Sequence, residues 1–150
     1  MNKFWFIILC LCLAACGPKV SYSHFTACPN AHWNADSIVT FSFPVPDTLH
    51  EYDILLQVRH TDDYSYQNMW LFVQEGYIDE APIVDTLEFY LADERGRWLG
   101  NGRTRITMPV LYREAMSFPH SGDYRIAIQQ GMRTSSLRGV TEVGVEVIQK

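Results

Sequence analysis

Few cysteines, no basic excess and no long hydrophobic run mark this 150-residue chain, and each shortage excludes something. Of its four cysteines, Cys10, Cys12 and Cys16 crowd the first sixteen residues, and only Cys28 lies beyond them. A single thiol makes no intrachain disulfide, so the fold is expected to rest on its core. Cys28 has no CxxC or Cys/His companion that would mark a redox site. It reads as a small residue near the domain entrance, with a redox site or an intermolecular bridge as the alternatives. Lys and Arg number 12 against 17 Asp and Glu, an acidic balance that argues against nucleic acid as a partner and against a basic patch on anionic lipid. The main apolar run, Phe4 to Leu13, is about ten residues long, half of the roughly twenty a spanning helix needs. Enzyme signatures are missing as well: there is no G-x-S-x-G elbow, P-loop or HExxH. His24, His32, His50, His60 and His120 form no i, i+4 pair and are expected at surface or cap positions rather than on a metal. The acidic pairs Asp62-Asp63 and Asp79-Glu80 fall in loops, where solvated carboxylates are ordinary. No catalytic residue, metal or cofactor is assigned, and the chain is expected not to be an enzyme.

What is present begins at the N-terminus. Lys3 supplies a positive flank, Phe4 to Leu13 an apolar segment, and Leu13-Ala14-Ala15-Cys16 the pattern read by bacterial lipoprotein processing. Small Ala14 and Ala15 let a peptidase approach the backbone, and the Cys16 thiol can receive a diacylglyceryl group before cleavage on its amino side. Residues 1–15 are therefore expected to be a signal peptide and Cys16 the lipid-attachment residue; an ordinary secretory cleavage leaving an unmodified cysteine is the alternative. Diacylation plus acylation of the new amine gives three chains, and two already hold a protein stably on a membrane. Residues 16–33 read as lipid anchor and flexible tether, because Gly17 to Asn30 is polar, holds two prolines and shows no period. Lipoproteins exported to the surface of some bacteria resemble one another in an acidic cluster after the lipidated cysteine; Gly17 to Ser21 hold no acid, so the periplasmic side is expected, and the outer membrane's periplasmic face is preferred to the inner membrane.

From residue 34 to 150 the dominant signal has period two, as in strands with one wet and one buried face. Val39, Phe41 and Phe43 share a face, as do Ile54, Leu56 and Val58; Tyr124, Ile126 and Ile128; and Val143, Val145 and Val147. Met69 to Gln74 is almost wholly apolar and reads as a central strand with Trp70 in the core. Thr86 to Leu91 leads into the reversal Asp93-Glu94-Arg95-Gly96, after which Arg97 to Leu99 starts a return, and Thr104 to Val110 adds another strand. Tyr112 to Phe118 is expected to make one helical turn stopped by Pro119. Seven or eight antiparallel strands with turn signals between them predict an all-β chain, a single β-sandwich.

Two features stand out as candidate contacts. The loop from Gln130 to Gly139 combines Arg133 and Arg138 with Met132 and Leu137 on an otherwise acidic protein, and Arg and Met are enriched at interfaces. Two readings are open: the four residues meet a protein partner, or the arginines pair with nearby acids and Leu137 tucks under the sheet edge. Trp98, just after a turn, is either exposed, as a sugar-stacking residue would be, or covers the end of the sandwich. A row of exposed aromatics would make the domain a carbohydrate-binding module.

Several stretches carry a family likeness: Tyr66-x-Asn68-Met69-x-Leu71-Phe72, Asp85-Thr86-Leu87-Glu88, Leu91-Ala92-Asp93-x-x-Gly96-x-Trp98-Leu99-Gly100-x-Gly102, Gly122-x-Tyr124, and Gln130-x-Met132-Arg133-x-x-x-Leu137-x-Gly139-Val140-x-x-Val143-Gly144. With the processing motif and the length, the chain resembles the gliding-motility lipoprotein family GldH of the Bacteroidetes along essentially all of its mature length. The resemblance implies a cell-envelope lipoprotein without enzymatic activity, serving the gliding machinery and the type IX secretion interlocked with it. Its implied partners are other envelope proteins of those systems, and its membrane contact is the lipid. Only Cys16 carries over as a functional residue.

Overall fold

A computed structural model describes residues 17–150; the expected signal segment and Cys16 lie outside the described residues. Ten strands follow in chain order: β1 Lys19–Ala27, β2 His32–Asn34, β3 Val39–Val45, β4 Glu51–His60, β5 Asn68–Tyr77, β6 Ile83–Tyr90, β7 Ile106–Ser117, β8 Gly122–Gln130, β9 Ser136–Arg138 and β10 Val140–Gln149. Eight of them form two four-stranded antiparallel sheets, ordered β1-β10-β4-β7 and β3-β8-β5-β6, while β2 and β9 make a short separate ladder. The expected all-β sandwich is what forms, with its two sheets facing each other across one core.

Inward parity builds that core. Ile54, Leu56 and Val58 of β4 and Val143, Val145 and Val147 of β10 meet Phe41 and Phe43 of β3, Met69, Leu71 and Val73 of β5, and Ile126 and Ile128 of β8, all of them buried. Each such side chain contributes roughly 1.5–3 kcal/mol when removed from water, so these positions dominate the fold's stability.

Three expectations are corrected. Residues 19–27 are not a tether: they form edge strand β1, which pairs with β10 from Lys19↔Gln149 to Ala27↔Glu142. The stretch that follows contains Trp33, which is 1% exposed and donates from Nε1 to the Ser37 carbonyl at 3.0 Å. The domain thus begins at Lys19, three residues after Cys16. Second, Tyr112 to Phe118 is no helical turn. Residues through Ser117 continue β7, with register shifts opposite Tyr52–Leu55 and Ala115 at φ +48°, its N–H held by Asp53 Oδ1 at 2.8 Å. Third, Trp70 is outside the core: Met69, Leu71 and Val73 take the inward positions of β5 and leave Trp70 and Phe72 on the outer face. The Arg97–Leu99 return is reduced to a single bridge, Ala92↔Trp98, closing the Asp93–Gly96 turn in which Gly96 adopts φ +76°.

At the edge where β6 and β7 face each other, the interior holds an acid. Glu75 of β5 is 1% exposed. Its Oε1 accepts from Arg113 Nε at 2.8 Å and from the Tyr112 hydroxyl at 3.1 Å, and its Oε2 from the Tyr124 hydroxyl at 3.1 Å. Arg113 also reaches Asp85 of β6 at 3.3 Å, so one guanidinium ties β7 to β5 and β6.

Candidate binding surface

The antiparallel order gives the sandwich two distinct ends. The start of β1, the end of β10 and the β3–β4, β5–β6 and β7–β8 connections lie at one end. The β4–β5, β6–β7 and β8–β9 connections, with β2 and β9, lie at the other. The ten residues of β4 separate the two ends by about 30 Å at roughly 3.3 Å per residue.

The Gln130–Gly139 loop belongs to the far end, and the structure divides its four candidate residues. Leu137 is buried at 1% exposure in β9, opposite Trp33, and is a core residue rather than a contact. Arg138 pairs with Asp63 at 3.0 Å, both side chains being exposed. Met132 is half-buried and its sulfur accepts the Trp70 N–H at 3.4 Å. Arg133 is exposed and, among the described residues, has no carboxylate within salt-bridge reach. The loop owes its shape to buried Gln130, whose amide donates to the Thr134 carbonyl at 3.0 Å while its oxygen accepts the Met132 N–H at 2.8 Å.

Met132 and Arg133 come together with residues of the β4–β5 connection. Tyr66, Asn68, Trp70, Gly131, Met132 and Arg133 line an open groove of about 590 Å³. It lies where β8 stops accompanying β5: their last pair is Leu71↔Gln130, leaving Asn68 to Trp70 beside the loop rather than beside a strand. Gly131 fits there because a Cβ would come within 3.1 Å of the Phe72 ring. A second hollow of about 410 Å³, lined by Gln67, Tyr90, Ala92, Asp93, Glu94 and Leu99, lies next to it. Gln67 lies between Tyr66 and Asn68 in the chain, and Asn68 pairs across the sheet with Tyr90. Tyr66 and Trp70 in the groove are 43% and 39% exposed, and Tyr90 and Leu99 in the hollow are 59% and 53% exposed, so both carry large apolar surface.

The polar groups around this surface are mostly engaged. Asn68 donates to Glu88 at 2.6 Å. Asp93 accepts the N–H groups of Arg95 and Arg97 and pairs with the Arg97 guanidinium at 2.8 Å; the backbone bond from Arg97 is the main cause that holds its carboxyl below the ordinary range. Trp98 is half-buried, donates to Asp62 at 2.7 Å and meets the His60 ring edge-on at 4.5 Å, so it covers the sandwich end.

The remaining candidates have structural surroundings. His60, expected at the surface, is fully buried; its Nδ1 faces the Thr61 carbonyl at 3.1 Å, its Nε2 has no hydrogen-bond partner among the described residues, and burial lowers its pKa. Strand parity puts position 60 inward with 54, 56 and 58, and this outweighs histidine's average exposure. His120 stacks on Tyr77 and pairs with Glu80 at 2.9 Å; the Ser121 carbonyl and then Glu80 raise its pKa. Cys28 is buried, and desolvation, with Glu142 nearby, pushes its thiol up to about 11, which leaves little thiolate for redox chemistry. Among the described residues no three His, Cys, Asp or Glu side chains cluster as metal ligands.

Fold and surface together define an antiparallel β-sandwich with an aromatic groove at one end. Comparison with known sequences narrows that class. The family model described as GldH lipoprotein matches residues 20–147, and the chain belongs to this family. It is 32% identical to the gliding motility lipoprotein GldH of Flavobacterium johnsoniae, over 99% of this chain and 97% of that one. It is 31% identical to a gliding motility lipoprotein GldH homolog of Christiangramia forsetii, over 97% and 94%. It is thus a gliding-motility-associated cell-envelope lipoprotein. Among solved structures, the Eiger TNF of S. frugiperda is similar at a TM-score of 0.36 and 13% identity, covering 84% of this chain and 92% of that one, too distant to bear on function.

Proposed function

We propose that the protein is a non-enzymatic component of, or accessory to, the gliding-motility machinery and its associated type IX secretion, acting through contacts with other envelope proteins while lipid on Cys16 holds it at the periplasmic face of the outer membrane. The observation that carries this reading is the separation of the two ends. Cys16 stands three residues before β1, a reach of about 10 Å. The exposed aromatic groove with Arg133 lies at the opposite end of the strands. A domain anchored so closely presents that groove about 30 Å from the lipid, toward the periplasm rather than into the headgroups. Exposed aromatics and an unpaired arginine are the residue types that dominate protein contacts.

The test is crosslinking of the lipidated protein in cells with identification of its neighbours by mass spectrometry. Motility or secretion proteins are expected, and Cys16→Ala is expected to move the chain out of the membrane fraction and to remove those neighbours. Recovery of glycans alone would overturn the reading in favour of a sugar-binding module.

A further inference from the structure

We infer that the groove and the hollow beside it form one docking strip for an extended peptide segment, which places an Asp or Glu side chain on Arg133 and apolar side chains against Trp70 and Tyr90. The inference rests on the proposed protein-contact function and names the chemistry of the contact.

Charge complementarity identifies the occupant. The chain is acidic overall, with a formal charge of −5. In the strip Asp93 is paired with Arg97 and Glu88 accepts from the Asn68 amide, while the exposed Glu94 lines the hollow and not the groove that holds Arg133. Arg133 projects from the loop with no carboxylate paired to it among the described residues, beside Tyr66, Trp70 and Met132. A guanidinium without a partner can bind an incoming carboxylate through two parallel N–H···O bonds, and the aromatic surface beside it adds apolar contact for the neighbouring residues. The neighbouring Arg138 offers the internal contrast, since Asp63 already occupies it at 3.0 Å.

Shape favours an extended chain over a sugar. The groove lies along β5 at the residues that β8 has left unaccompanied, and it adjoins the hollow because Asn68, which lines the one, is the cross-strand partner of Tyr90, which lines the other with Ala92 and Leu99. Trp70 and Tyr90 lie on neighbouring strands of one outer face, two hydrophobic stations such as an extended peptide's side chains can fill. A sugar ring needs several convergent hydrogen-bonding groups beside its aromatic platform. Here Asn68 is committed to Glu88, the Gln67 amide to the Asp93 carbonyl at 3.3 Å, and Trp98 to Asp62 outside the strip.

The experiment uses the full-length lipidated protein in detergent and fluorescein-labelled octapeptides, blocked at both termini, that carry one Glu and two Phe or Leu residues at varied spacing. Matching sets carry Gln or Lys in place of Glu, and an oligogalacturonate is the acidic-sugar probe. Peptides of the Glu set should bind in preference to the Gln set. Trp70→Ala and Arg133→Glu should each weaken them at least about tenfold, while Arg138→Glu leaves binding within about twofold. Arg133→Glu should also transfer preference to the Lys set, a gain that an unfolded variant could not show. The inference is overturned if no peptide of the Glu set binds better than its Gln counterpart, if Arg133→Glu changes nothing, or if only the oligogalacturonate binds. Peptide failure with motility-protein crosslinks retained removes the strip alone. Peptide binding without such crosslinks removes the wider functional reading instead.

Discussion

The outer faces of the two sheets are written by the same alternation, yet the middle of one is polar and paired with itself while the other carries exposed aromatics. On the β1-β10-β4-β7 sheet several outward positions of β4 and β10 hold polar or charged side chains that engage one another, while Leu111 of β7 is 52% exposed. Glu142 accepts from Arg59 at 3.0 Å and from Arg105 at 3.1 Å, Gln57 donates to Glu146, and the Arg59 guanidinium lies 3.5 Å above the Phe25 ring. Phe25 itself is seated against Gly144. On the β3-β8-β5-β6 sheet the outward positions include Trp70, Phe72 and Tyr90, which are 39%, 43% and 59% exposed, with Arg133, unpaired among the described residues, at their margin. Period two decides which residues point outward. Whether those residues cover one another decides which face is available to a partner.

The largest predicted effect lies in the interior that both faces enclose. Arg113→Ala should cost about 3–5 kcal/mol, because it leaves Glu75 charged, 1% exposed and held only by two tyrosine hydroxyls. Chemical denaturation measures it, and a loss below about 1 kcal/mol would show that water or another cation reaches Glu75. Next comes a matched pair of glycines that contrasts the faces directly. Gly144→Ala puts a Cβ 2.6 Å from the Phe25 ring and 2.9 Å from the His24 carbonyl, so β1 must shift and about 1–3 kcal/mol should be lost. Gly131→Ala meets the Phe72 ring at 3.1 Å, but that ring is 43% exposed and can yield, so the cost should stay under about 1 kcal/mol. Equal losses would mean that the aromatic face is as tightly covered as the charged one.

The sequence made the core strands legible because Ile54/Leu56/Val58 and Val143/Val145/Val147 are buried on one side only. β1 was illegible for the opposite reason: as an edge strand most of its side chains are exposed, and backbone pairing with β10 rather than a buried face holds it. Glu114, Ala115 and Met116 have local helical preference, but β7 has a long-range partner in β4 and absorbs the extra residues as a bulge. Glu75 continues the inward parity of Leu71 and Val73, so its burial was readable; the Arg113 that balances it comes from another sheet and was not. The same limit applies to the candidate site. The basic loop was visible as a segment, and Leu137 opposite Trp33 follows the alternative reading of it. That Arg133 meets Tyr66 and Trp70 depends on where β8 ends against β5, which no local pattern records.

Acid should weaken the far end of the core. His60 is neutral there, with its pKa lowered chiefly by burial. Below the unfolded-state value near 6.5 the unfolded chain binds the proton first, so stability is present above that pH and is lost as pH falls toward the folded-state value. His120 acts in the opposite sense: with its pKa raised, its contribution is present below the unfolded value and is lost as pH rises through the folded one. Denaturation curves at pH 7.5, 6.0 and 5.0 should show a falling acid limb that His60→Phe flattens; an unchanged slope would mean that His60 takes up its proton in the folded state.

The smallest expected effect separates the two arginines of the basic loop. Arg138 and Asp63 are 68% and 59% exposed, so their 3.0 Å pair is screened by water and should be worth about 0–1 kcal/mol in a double-mutant cycle of Arg138→Ala and Asp63→Ala. Arg133 has no carboxylate to lose among the described residues, and Arg133→Ala should leave stability within about 0.5 kcal/mol. A larger loss for Arg133 than for Arg138 would mean that the groove arginine supports the fold, and the aromatic face would then be less free for a partner than its exposed aromatics imply.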